Sequence, residues 1–139
     1  MNSRLLIAAG LITLSAFAVV STAQVKKGKT RPLTTAQLMS AIVKPEAISL
    51  GADLKKSPST DDEWAALATK AALLNESSYI LMADGRCPDE VLKAACDTLR
   101  DCSEAVLEKI EAQDAEGAQK AVAGLMKSCR TCHQKHREQ

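Results

Sequence analysis

Apolar residues recur every three or four positions along most of this chain, which is the spacing of amphipathic helices rather than of strands. Short polar breaks divide the pattern into four stretches. They run from about Thr34 to Lys56, from Thr60 to Asp84-Gly85, from Pro88 to about Glu111, and from Asp114 to near the C-terminus. The pattern predicts an all-α domain of four helices. Short connections between them predict an antiparallel up-down-up-down four-helix bundle.

Local signals mark where these helices begin, bend and end. Thr60 and Glu63 have the spacing of a capping box, and Asp84-Gly85 is a typical helix end. In the first helix Pro45 lacks a backbone N–H, so we expect a kink or break around Val43-Lys44. The predicted core stripes are Leu38, Ile42, Pro45 and Ile48 in the first helix; Trp64, Leu67, Ala68, Ala71, Leu74, Ser78 and Leu81 in the second; Leu92, Ala95, Leu99, Cys102, Val106 and Ile110 in the third; and Ala118, Ala121, Val122, Leu125, Cys129 and Cys132 in the fourth.

The N-terminus has the layout of a secretory signal peptide. A short basic start ending at Arg4 precedes 16 uncharged, mostly apolar residues, and small residues up to Ala23 suit cleavage before Gln24. The apolar run is shorter than the ~20 residues that cross a bilayer, although an uncleaved anchor is the alternative. We therefore predict a signal peptide over 1–23, a disordered lead-in over 24–33, a four-helix domain over 34–139, and export to the periplasm without stable membrane insertion.

Composition adds two constraints. Beyond the signal peptide the chain has 17 basic and 17 acidic side chains, and this balanced charge argues against nucleic-acid binding. The same stretch holds one Trp and one Tyr, Trp64 and Tyr79, so large aromatic side chains cannot fill the core. An Ala-rich bundle leaves room for a bulky, flat group.

The sequence Cys129-Arg130-Thr131-Cys132-His133 has the C-x-x-C-H pattern of a c-type haem attachment site. On a helix, residues three and four apart share one face, so both thiols and the imidazole project together. Two such thiols can bond to the two vinyl groups of one porphyrin while His133 reaches the iron as the proximal ligand. The stripe of the fourth helix leads into these cysteines, so we expect haem near the C-terminal helix, inside the bundle.

Two other readings of the motif stay open at this point. A C-x-x-C pair can be a redox dithiol, although that reading belongs with a βαβ pattern. A zinc site would need further ligands, and no second ligand pair is evident. An exported helical-bundle interaction protein with a zinc or thiol site is therefore the alternative from a different class.

A signal peptide, four helices and C-x-x-C-H in the last helix together resemble the class II c-type cytochromes, the group of cytochrome c′ and cytochrome c-556. The resemblance implies a monohaem protein that carries single electrons between periplasmic redox proteins and is not an enzyme. It also implies a homodimer formed through the first two helices. Members of this family often have an aromatic residue and an arginine after the motif. Arg137 matches, beside the proximal imidazole or as an exposed cation, whereas His136 replaces the aromatic residue.

The resemblance also raises the question of what faces His133 across the haem. Relatives of the c-556 kind use a methionine of the first helix as the distal iron ligand, and Met39 lies in the corresponding stretch. Met39 is otherwise a core methionine. In that case Leu38 can cover an open distal face, which gives a five-coordinate cytochrome c′ that binds nitric oxide or carbon monoxide.

The other candidates have simpler expectations. Trp64 is a core residue or packs against haem, and His136 is solvent-facing or lies beside the proximal ligand. Met126 should line the same side as His133.

Helix geometry decides which of the remaining cysteines can form a disulfide. Cys96 and Cys102 are too far apart along one helix for a disulfide, so we expect buried thiols there, and Cys87 should be a thiol or link two chains.

Overall fold

The computed structural model describes residues 30–136, which form four helices and contain no β-strand. Helix α1 is continuous through three segments, Thr35–Leu38, Met39–Val43 and Lys44–Leu54. The other helices are α2 (Asp61–Met82), α3 (Glu90–Glu111) and α4 (Ala115–His136). The prediction of an all-α fold with four helices is confirmed. None of the described helices is long and apolar enough to cross a membrane.

The four helices pack as a bundle. Helix α3 has extensive contacts with both α2 and α4, and α1 packs against α2 and α4. The apolar residues buried between the helices are small or aliphatic, and none is aromatic. They are Leu38, Val43, Ala47, Leu50, Leu54, Leu67, Ala71, Leu74, Leu81, Leu92, Cys96, Leu99, Val106, Ile110, Ala118, Val122, Leu125 and Cys132.

The helix ends follow the predicted signals closely. The Glu63 N–H donates to Thr60 Oγ1 at 3.2 Å, and the Thr60 N–H donates to Glu63 Oε2 at 3.1 Å, which is the predicted capping box. After α2, Asp84 and Gly85 adopt φ angles of 61° and 73°, the left-handed backbone that ends a helix. Helix α4 is capped at its start by Asp114, as predicted.

The predicted stripe of α1 is wrong beyond its first turns. Pro45 is exposed and Ile48 is 57% exposed, while Val43 and Ala47 are buried. The reason is that Met39–Val43 forms a π turn, in which the Lys44 N–H donates to the Met39 carbonyl. A π turn takes up one more residue than an α turn, so the buried face beyond it moves by about one position. The helix thus passes through the predicted break without stopping.

Residues 30–33 are held against the loop between α2 and α3, which corrects the predicted disordered lead-in over this part. The N–H groups of Thr30 and Arg31 each donate to Asp84 Oδ2 at 2.9 Å, and Arg86 Nε donates to the Leu33 carbonyl at 3.1 Å. Asp84 and Arg86 of this loop thus supply hydrogen-bond partners for residues 30–33, which the composition of residues 24–33 does not indicate. The signal peptide and residues 24–29 lie outside the described residues.

Candidate functional site

One end of the bundle encloses a cavity of about 380 Å³, to which all four helices contribute. Its walls come from the first half of α1, the last turn of α2, the first turns of α3 and the last turns of α4. Most of the lining side chains are apolar. The lining residues are Ala36, Met39, Ser40, Val43, Lys44, Ala47, Ile48, Leu81, Leu92, Ala95, Cys96, Leu99, Met126, Ser128, Cys129, Cys132 and His133.

The three residues of the C-x-x-C-H motif line this cavity together. Cys129, Cys132 and His133 lie in the last turns of α4, at the spacing that places them on one helix face. Cys132 is buried at 7% exposure, and Cys129 and His133 are half-buried. The stripe that α4 buries along Val122 therefore continues into the motif, as the sequence pattern indicates.

Burial also sets the protonation of these thiols. Removal from water raises the pKa of both Cys129 and Cys132 above the ordinary thiol value. Both therefore stay in the neutral S–H form at neutral pH.

Met39 lines the same cavity from α1, on the π turn, and its neighbour Leu38 does not. Leu38 is 5% exposed and belongs to the bundle core, whereas Met39 is half-buried and packs only partly against that core. Of the two residues considered for the side facing His133, the structure thus brings the methionine to the cavity. Single-turn π insertions of this kind occur frequently at functional sites.

Trp64 is not brought to the cavity. It packs against the core near the start of α2, while the lining residue of that helix is Leu81, 17 residues later. This separation is about 25 Å along the helix axis. The structure therefore supports the core interpretation of Trp64. Arg137 lies outside the described residues.

His136 is buried, at 4% exposure, so the solvent-facing expectation is wrong. Its Nε2 atom lies 3.5 Å from Oδ1 of Asp89, the residue that precedes α3, without the geometry of a hydrogen bond. The same carboxylate accepts a hydrogen bond from the Leu92 N–H at 2.9 Å and so caps α3. Met126 lines the cavity, as expected, and is 37% exposed at its edge.

The third thiol of the cavity, Cys96, was not foreseen as a lining residue. It is 2% exposed on α3, and burial raises its pKa to about 12. Its position between Leu92 and Leu99 at helical spacing is the signal that could have revealed it. Cys102, predicted to be a buried thiol, is only half-buried. The Cys87 thiol donates to the Asp89 carbonyl at 3.3 Å. No disulfide joins the cysteines, all of which lie within the described residues.

The donor set of the cavity suits haem: two thiols and an imidazole from one helix, a thioether from another, and apolar walls. Within residues 30–136, no three His, Cys, Asp or Glu side chains are grouped to hold a metal ion by themselves. Comparison of the chain with protein-family models, with curated proteins and with solved structures gives no match.

Proposed function

We propose that this protein is an exported monohaem c-type cytochrome of the class II kind, which carries single electrons between redox proteins of the periplasm. One observation carries the proposal. Met39 and the motif residues Cys129, Cys132 and His133, which are up to 94 residues apart in the sequence, line one cavity. Its volume lies within the ~300–1,000 Å³ range of small-molecule and cofactor sites.

Each of these side chains has a distinct role in the proposal. Cys129 and Cys132 anchor the haem covalently through thioether bonds, and His133 is the proximal ligand of its iron. Met39 is the distal ligand, and a His/Met pair raises the reduction potential. The bound haem supplies the one-electron chemistry, while the protein positions and insulates it.

The walls of the cavity provide the insulation. Leu81 and Leu92 are almost completely buried, at 0% and 2% exposure, and Leu99 is 7% exposed. Because these aliphatic side chains exclude water, they keep the surroundings of the metal apolar, which is one way a protein sets a haem potential. No acidic side chain lines the described cavity.

The segments that meet at the cavity support the antiparallel topology. They are the start of α1, the end of α2, the start of α3 and the end of α4. Four helices that alternate in direction bring these four ends to one side of a bundle. We therefore include the up-down-up-down arrangement, and haem at this end of it, in the proposal.

Export and dimerisation complete the proposal. Cleavage of the signal peptide near Ala23 would release the protein into the periplasm, where bacteria attach c-type haem in this family. Exposed Leu73, at 40%, lies on α2, one of the two helices through which class II relatives form homodimers. We expect that face to form a homodimer.

The ligand assignment is tested by absorption spectroscopy of matured protein. We expect Cys129→Ser/Cys132→Ser protein to lose its haem on acid-acetone extraction. Cys102→Ser, which changes a thiol outside the cavity lining, should retain it. Met39→Leu should abolish the sulfur-to-iron charge-transfer band of the oxidised protein and allow carbon monoxide to bind the iron of the reduced protein, while Met126→Leu should do neither.

Other results would favour the alternatives. Carbon monoxide binding to the unmodified protein, without a charge-transfer band, would favour a five-coordinate cytochrome c′ over Met39 ligation. Purified protein that contains zinc and no haem would favour the exported zinc or thiol protein.

A further inference from the structure

The cavity opens between α1 and α4, and apolar side chains are exposed at this opening. Ile48 of α1 is 57% exposed and Met126 of α4 is 37% exposed, although both line the cavity. The two helices approach closely here, since a Cβ atom on Gly51 would lie 3.9 Å from Met126 Cε. A group held in the cavity would therefore come nearest to solvent beside Met126 and Ile48.

Three exposed basic residues lie on α1 and α4 beside this opening. Lys44, one turn before Ile48, is exposed and lines the cavity from α1. On α4, Lys127 follows Met126 directly, and Arg130 lies four residues after Met126 and so on the same face. All three cations are exposed, and none forms an ion pair with another described residue.

The sequence of α4 explains why this charge is local. From Gly117 to His136 the helix contains four lysine and arginine residues and no acidic residue. Lys120 and Lys135, the other two, approach Glu116 and Asp89 at 2.6 and 3.8 Å. The chain from Gln24 onward is balanced at 17 basic and 17 acidic side chains, so the acidic residues lie elsewhere. A neutral protein thus presents a positive field at one opening.

We propose that Lys44, Ile48, Met126, Lys127 and Arg130, the mouth rim, form the docking surface for an acidic face of a redox partner protein. This inference rests on the proposed function. A small apolar centre surrounded by charge is the anatomy of a transient protein interface. Complementary charge raises the rate of encounter and orients the partners. The rim has only two exposed apolar side chains, far fewer than the wide apolar face by which helices bind membranes.

The rate at which small reagents oxidise the reduced protein tests the local field, because the total charge is near zero. We expect oxidation by hexacyanoferrate(III), an anion, to slow about threefold as ionic strength rises from ~0.01 to ~0.15 M. Oxidation by tris(1,10-phenanthroline)cobalt(III), a cation whose potential is high enough to oxidise a His/Met haem, should become faster over the same range. Equal responses to both reagents would overturn the proposal.

A pair of charge-matched variants locates the field. Lys44→Glu/Lys127→Glu should reverse both salt dependences. Lys55→Glu/Lys109→Glu, which makes the same change at the ends of α1 and α3 away from the cavity, should leave them unchanged. The haem spectrum and helical circular dichroism of each variant establish that it is folded. If both variants changed the two salt dependences equally, the positive field could not be assigned to the mouth rim.

Binding measurements separate the classes of partner and do not require haem. We expect labelled poly-glutamate to bind the wild-type protein in low salt and to lose at least about threefold in affinity with Lys44→Glu/Lys127→Glu. The control variant should bind like wild type. Binding to phosphatidylglycerol vesicles but not to poly-glutamate would overturn the proposal in favour of a membrane surface. If the protein were colourless but its mouth rim still bound poly-glutamate, the cytochrome assignment would be refuted and the acidic-partner surface would stand.

Discussion

Nε2 of His136 lies 3.5 Å from Oδ1 of Asp89, and this contact joins the end of the helix that carries the cysteine motif to the start of α3. The same carboxylate caps α3 through the Leu92 N–H, and Lys135 Nζ approaches it at 3.8 Å. These three groups, with the Leu92 hydrogen bond as the largest contribution, hold the pKa of Asp89 below its ordinary value. One side chain therefore fixes two walls of the cavity relative to each other.

Replacing this carboxylate should destabilise the bundle. We expect Asp89→Ala to lower the free energy of unfolding by about 1 kcal/mol, because α3 loses its N-terminal cap. The carboxylate oxygen that lies 3.5 Å from His136 Nε2 is removed at the same time. Urea denaturation followed by circular dichroism measures the change. Asp101→Ala, at an exposed position within α3, should change stability by less than about 0.5 kcal/mol. Equal effects of the two substitutions would contradict this role of Asp89.

Asp53 should contribute to the loss of stability in acid. Hydrogen bonds from Lys56 and Lys70 lower the pKa of Asp53 to about 2. A carboxylate whose pKa is lower in the folded protein stabilises it above its unfolded pKa of ~4. That stabilisation is lost as the pH falls from about 4 to about 2. In denaturant titrations over this range, Asp53→Asn should give a shallower dependence of the unfolding free energy on pH, and exposed Asp62→Asn should not.

The helices and the motif could be predicted because their signals are local. The capping box of Thr60 and Glu63 and the left-handed Asp84-Gly85 need only a few neighbouring residues, and the structure contains both. The spacing of Cys129, Cys132 and His133 places them on one face of any helix. This part of the site was therefore evident without tertiary information.

What could not be predicted depends on contacts between distant segments. The π turn moved Ile48 from the core stripe to the surface, and periodicity alone does not reveal an inserted residue. His136 and Arg86 are polar, so their types predict exposure, yet both are buried, beside Asp89 and the Leu33 carbonyl, which lie more than 40 residues away in the sequence. The burial of Cys96 in the cavity likewise requires the packing of α3 against α4.

Arg86 should be a strong determinant of stability despite lying outside the candidate site. Its guanidinium is 1% exposed and donates to the carbonyls of Leu33, Ile80 and Ala83 at 3.1 to 3.5 Å. We expect Arg86→Met to cost about 2–4 kcal/mol, because buried carbonyls lose their donors. Thermal and urea unfolding measure this cost.

A matched substitution controls for the loss of an arginine. Arg31→Met removes an exposed side chain and keeps the backbone N–H that bonds to Asp84, so its effect should stay below about 0.5 kcal/mol. An effect as large as that of Arg86→Met would show that overall charge, rather than the buried hydrogen bonds, determines the stability.

The contact between α1 and α4 beside the cavity opening has room for one methyl group. A Cβ atom on Gly51 would lie 3.6 Å from Val122 Cγ1, an ordinary contact distance. Gly51→Ala should therefore stabilise the protein by about 0.5–1 kcal/mol through helix propensity. Gly117→Ala should not, because its new methyl group would overlap the Asp114 carboxylate that caps α4. If the melting temperatures of the two variants shifted equally, that result would contradict this packing.

The most direct test of the account is the intact mass of the protein, measured under denaturing conditions after expression in a bacterial host that matures c-type cytochromes. A protein with two thioether bonds to haem should have the mass of the chain from Gln24 plus one haem, because those bonds survive unfolding. Loss of that extra mass in Cys129→Ser/Cys132→Ser protein would support the assignment further. A haem-free mass for the wild-type protein, from a host that matures a control cytochrome, would contradict it.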